Sequence, residues 1–104
     1  MAKGYIVGLL KFTNHDQFIE NYAKRIPSVI EANGGRFLVR TPESHFAEGR
    51  EYSLHVIVEF ESFVKAREML KSPEFINLQL HRHNNTDRTA SSFMLLEGGD
   101  VLKK

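Results

Sequence analysis

The chain has 104 residues, 41% of them hydrophobic and 26% charged, with a net charge of +1. That suits one domain over residues 1–104, with no run near the ~18 apolar residues a membrane span requires. Acids and bases are interspersed, so neither a nucleic-acid stripe nor a membrane-binding basic segment is implied, and the lack of cysteine excludes disulfides, thiolate nucleophiles and cysteine-ligated zinc.

Gly4 to Phe12 reads as a strand, with Tyr5, Val7 and Leu9 on one face and Ile6, Gly8, Leu10 and Phe12 on the other. Apolar residues on both faces predict burial on both sides. The apolar run Tyr5 to Leu10 is interrupted by Gly8 and lacks a small-residue cleavage site, so it reads as a strand of a cytoplasmic protein rather than as a signal peptide. Asn14 is placed to cap a helix, with Gln17 positioned to complete a capping box. Phe18, Tyr22, Ile26, Val29 and Ile30 then follow at helical spacings. Pro27 lies inside that stripe and removes a backbone donor, which predicts a kink over Ala23 to Pro27.

The run Asn33-Gly34-Gly35-Arg36-Phe37-Leu38-Val39-Arg40 reads as a helix end followed at once by a strand. Two glycines can supply the positive φ that a helix C-terminus needs. Strict alternation over Arg36 to Arg40 puts Phe37 and Val39 on one face and Arg36, Leu38 and Arg40 on the other. Thr41 to Glu51 is polar, contains His45, and reads as a loop or an irregular hairpin. Tyr52 to Phe60 is a strand with Leu54, Val56, Val58 and Phe60 on one face and Ser53, His55, Ile57 and Glu59 on the other. Ser62 can cap a helix burying Phe63, Ala66 and Leu70. Ser72, Pro73 and Glu74 give a second start, which breaks the helix near Lys71. From Pro73 to Asn84 the spacing packs Ile76 with Leu80, Asn84 to Asp87 end the helix, and Phe93 to Glu97 form the last strand.

The order βαββαβ points to an α+β, ferredoxin-like fold: a four-stranded antiparallel sheet with two helices, both interrupted, on one face. Leu38, Ile57 and one face of the first strand are then left uncovered. A second copy of the same sheet would cover them, so a homodimer is expected.

The chemistry is less specified. His55 and Glu59 share a face, but four residues along a strand span ~13 Å, too far for a direct hydrogen bond. Arg36 and Arg40, taken to lie on that same uncovered face, read either as cross-strand partners of Glu59 or as anion anchors. His81 and His83 point about 200° apart on a helix, so they cannot chelate one metal together and read as solvent-exposed. No metal-ligand spacing occurs and no cofactor is implied. His45, in a polar loop, is the best single acid/base candidate, although an ordinary surface histidine is the favoured reading of it.

Lys3-Gly4-Tyr5, the block Gly34 to Arg40, Glu48-Gly49, Val58 to Ser62, Ser72-Pro73-Glu74-Phe75, Arg82 and Glu97-Gly98 together resemble the domain-of-unknown-function family 1330. The resemblance covers nearly the whole chain and implies a member of the dimeric α/β-barrel superfamily, whose members include cofactor-independent monooxygenases, lactone isomerases and haem enzymes. It also implies that a small molecule would bind between the helices and the sheet, where Tyr22 and Arg82 could line the cleft. Tyr22 reads equally as a core tyrosine, and Arg82 as a partner for a helix C-terminus or an acid.

Three function classes follow. One is a homodimer that binds and transforms a small, anionic organic molecule without metal or flavin, with His45 or His55 moving a proton and Arg40 or Arg82 holding the anion. The second is a non-catalytic binding or accessory dimer. RNA binding, the third, needs exposed sheet aromatics for base stacking, and Ser53, His55, Ile57 and Glu59 supply none.

Overall fold

The computed structural model describes residues 2–103. Strand β1 (Gly4–Leu10) lies inside the sheet, between β3 (Leu54–Phe60) and β4 (Ser92–Glu97), while β2 (Gly35–Thr41) pairs with the outer edge of β3. All three pairings are antiparallel, in the order β2-β3-β1-β4. The helical segments are α1 (His15–Phe18), a π-helical turn (Ile19–Ala23), α2 (Ile26–Ala32), α3 (Phe63–Met69) and α4 (Pro73–Asn84). They pack on the face made by Ile6, Leu10, Val58 and Phe60, all buried, and close a core that includes Phe18, Ile30, Met69 and Phe75.

The helix starts form where capping chemistry places them. Asn14, Ser62 and Ser72 each accept a hydrogen bond from the backbone N–H three residues on, satisfying a donor that the first helical turn leaves unpaired. Both helical connections are interrupted. In the first, Lys24 N–H donates to the Ile19 carbonyl five residues back, and α2 restarts with Pro27 in its first turn. In the second, Ser72 and Pro73 start α4 anew.

Gly34 has φ +79° and ends α2 in the left-handed region. Gly35 serves packing instead: a Cβ there would lie 2.6 Å from Phe60 Cε2 and 2.7 Å from Ile30 Cγ2. Only the first of the two glycines is used for its conformational freedom.

Two expected orientations are corrected. Ile76 and Leu80 do not pack inward; they are 42% and 56% exposed. The inward stripe of α4 is Phe75, Leu78 and Arg82, at spacings of three and four, so an arginine holds a core position. In β2 the alternation is broken at Leu38. Phe37 lies opposite Val58 and Val39 opposite Ile57, so two steps on β2 match one on β3. Arg36 therefore faces Glu59 on the uncovered side, whereas Arg40 lies opposite Val56 on the helix-covered side. The two arginines do not share a face.

Candidate functional site

The bulge at Leu38 gives Arg40 a specific partner. Pro27 has no N–H, so the carbonyl of Ala23, four residues earlier, lacks its intrahelical donor. Arg40 Nη1 donates to that carbonyl at 3.1 Å, with its guanidinium 4.2 Å from the Phe37 ring centroid. The broken helix and the bulged strand are thus joined by one hydrogen bond.

Between the helices and the sheet lies an apolar cavity of about 40 Å³. Arg40, Ala23 and Leu54 are among the residues that line it, and they also border an outer cleft. Leu10, Arg82 and Phe93 line it as well and separate it from a second, polar cleft of about 310 Å³. Gly8 belongs to the cavity wall: a Cβ there would meet Phe93 and Val56 at 3.7 Å, ordinary contact distance, so the position has room for one methyl group and little more.

Arg82 is 5% exposed. Its guanidinium stacks 3.8 Å from the Phe93 ring centroid, Nη1 donates to Tyr22 Oη at 3.2 Å, and Nη2 lies 3.3 Å from His83 Nε2. Burial, together with the Arg82 and Arg88 cations, holds the His83 pKa below the ordinary histidine value, so at neutral pH its Nε2 can accept the Arg82 hydrogen bond. Burial raises the Tyr22 pKa, and its hydroxyl stays protonated. Among the described residues no carboxylate forms an ion pair with Arg82, Arg40 or Arg88. The nearby Asp87 is committed to the Thr89 and Ala90 backbone N–H groups and the Thr89 hydroxyl, which lower its pKa and fix the turn before β4.

The two histidines singled out from the sequence lie elsewhere. His55 is opposite Thr41 and Leu9 on the uncovered sheet face, where its Nδ1 donates to the Thr41 carbonyl at 3.0 Å. His45 is exposed in the loop between β2 and β3 and does not line the cavity. Tyr22, Arg40 and Arg82 do come together around it. Gly8, His83, Arg88 and Phe93 complete the cleft although the sequence reading did not place them there. The spacing of Arg82 behind Phe75 and Leu78, counted from the start at Pro73, was the available signal.

On the uncovered face, Tyr5 Oη donates to Glu59 at 3.0 Å, and Arg36 reaches the same carboxylate at 3.1 Å. Both hydrogen bonds lower the Glu59 pKa. The cross-strand pairing expected for Arg36 is therefore present.

A four-stranded antiparallel sheet covered on one face by interrupted helices defines the ferredoxin-like class to which the dimeric α/β barrels belong. Within it, residues 3–98 match the family described as Domain of unknown function (DUF1330), and the chain belongs to that family. Among solved structures, the RPA0582 protein of unknown function from Rhodopseudomonas palustris is similar, with TM-score 0.76 and 16% identity over 95% of this chain and 84% of that one. SnoaB, a cofactor-independent oxygenase from Streptomyces nogalater, matches over 100% of both chains with TM-score 0.64 and 14% identity. A dimeric protein of unknown function and ferredoxin-like fold from Bacteroides fragilis gives TM-score 0.54 and 11% identity over 92% of this chain and 96% of that one. No curated protein matches the sequence. Likeness at these identities establishes the fold. No helix among the described residues is long and apolar enough to cross a membrane.

Proposed function

We propose that this chain is a single-domain, cytoplasmic homodimer that binds a small organic anion in the cleft between helices and sheet, with Arg82 as its anchor. The observation that carries this reading is the Arg82 guanidinium, 5% exposed and without a carboxylate partner among the described residues. A buried cation without a counter-ion is costly, and a ligand anion would supply one. Tyr22 holds the guanidinium at the wall between the cavity and the polar cleft, and Arg40 also lines the cavity. The dimer rests on Leu38, Val39, Met94 and Leu96, more than a third exposed on the sheet, and on the dimeric Bacteroides fragilis neighbour.

Turnover is the second reading, favoured by the neutral His83 next to Arg82, whose Nε2 can take a proton from a bound ligand once the Arg82 guanidinium turns from it to the anion. His45 and His55 lie outside the cleft of their own chain, so His83 replaces them in that role. Calorimetric titration with hexanoate at low salt tests the anchor. Arg82→Gln should weaken binding by about 10- to 150-fold, corresponding to the ~1.5–3 kcal/mol of a hydrogen bond to a charged group, and Arg82→Lys should weaken it less. Equal affinity in wild type and Arg82→Gln would overturn the assignment.

A further inference from the structure

The apolar cavity and the polar cleft share one wall, and Arg82 is its only charged member. Leu10, Arg82 and Phe93 line both compartments. On the inner side the surroundings are apolar apart from Arg40, and Gly8, with room for one methyl beside it, lines the cavity. On the outer side stand Arg88, His83, Thr86 and Ser91, and no carboxylate lines the cleft. Arg88 is exposed and forms no ion pair among the described residues. The Ser91 hydroxyl accepts from the Lys11 N–H at 2.8 Å, which leaves its own proton free to donate outward.

We infer that the ligand class is an amphipathic monocarboxylate whose head is held in the outer cleft between Arg82 and Arg88 and whose short apolar body enters the cavity beside Gly8. This deepens the anion-binding reading and rests on it. Arg82 acts as a movable partition. Its guanidinium lies against Phe93 in the structure, and in the proposed complex it turns outward with the carboxylate to open the inner compartment.

Size sets the length of the body. A 150 Å³ cavity accepts benzene, so the cavity of about 40 Å³ here holds about two carbons. The four heavy atoms of the guanidinium, once turned outward, vacate room for about four more. A body of about four to six carbons follows, and hexanoate fits it where acetate leaves the cavity unfilled.

The test is a calorimetric series with acetate, butyrate and hexanoate on the wild-type protein and on Gly8→Val. Each buried methylene contributes about fourfold in affinity, so hexanoate should bind the wild type at least about tenfold more tightly than acetate. In Gly8→Val the added methyls occupy the inner space, and the gain from chain length should fall below about twofold. Thermal unfolding confirms that the variant is folded. If it is not, Gly8→Ala, whose Cβ meets its neighbours at 3.7 Å, should reduce the gain by a smaller factor. Hexanoate binding the wild type no better than acetate would overturn the two-compartment inference and leave the anion reading standing. So would a chain-length gain that persists in Gly8→Val. Failure of every carboxylate to bind would remove both.

Discussion

Replacing Arg82 with methionine separates an arginine that waits for an anion from one that holds the fold together. Methionine keeps an unbranched side chain at the core position behind Phe75 and Leu78 but carries no charge. The change removes the charge-assisted hydrogen bonds to Tyr22 and His83, about 1.5–3 kcal/mol each, and the stacking on Phe93, about 2 kcal/mol for a desolvated pair. Against that loss stands the cost of keeping an ion 5% exposed without a counter-ion, which is several kcal/mol in the folded state. The opposing contributions nearly cancel, so Arg82→Met should lie within about 2 kcal/mol of the wild type in urea unfolding at fixed protein concentration. An arginine paired with a buried carboxylate would instead lose about 3–5 kcal/mol on the same change. Hexanoate should raise the midpoint of the wild type and leave that of the variant unmoved, because only a ligand that binds the folded state stabilises it. A loss above about 3 kcal/mol without ligand, or equal stabilisation of both proteins by hexanoate, would refute the reasoning.

The hydrogen bond from Arg40 to the Ala23 carbonyl exists because Pro27 cannot donate, so the two sites should be coupled. Arg40→Ala is expected to cost about 1 kcal/mol in the parent and less in a Pro27→Ala background; additive effects in that double-mutant cycle would contradict this. His83 has a depressed folded-state pKa, so its stabilising contribution is present above about pH 6.5 and is lost as pH falls through its folded value. Denaturation between pH 7 and 5 should show the wild type losing more stability than His83→Asn, and parallel curves would count against a half-buried, neutral His83. Met94 lies opposite Val7 on the uncovered sheet face, where a second copy is expected to pack. Sedimentation should find a dimer for the wild type at micromolar concentration and a monomer for Met94→Glu, whereas a monomeric wild type would remove the proposed assembly.

Much of the fold was legible because local chemistry and periodicity agree. Asn14, Ser62 and Ser72 announce helix starts, Pro27 announces an interruption, and the alternation in β3 puts Glu59 opposite Arg36. What escaped was phase. In Phe37-Leu38-Val39 three consecutive apolar residues satisfy a regular strand and a bulged one equally, so nothing local reports that Arg40 changes face. The deciding contact is long-range, a donor for the carbonyl that Pro27 orphans. Ile76 and Leu80 misled for a related reason. Their four-residue spacing is helical, but Phe75 and Leu78 are also apolar, and the rotation of α4 about its axis is set by packing on Phe93 and the core. The cleft suffered most, because its defining features are a missing side chain at Gly8 and a missing counter-ion at Arg82. Neither absence is visible until the neighbours are in place.

The most direct test of the anion-binding claim is a crystal structure of the protein soaked with hexanoate. The carboxylate should lie within hydrogen-bond distance of the Arg82 guanidinium, with the alkyl chain directed past Phe93 toward Gly8. Hexanoate bound elsewhere on the surface, with Arg82 still stacked on Phe93 and hydrogen-bonded to Tyr22, would contradict it.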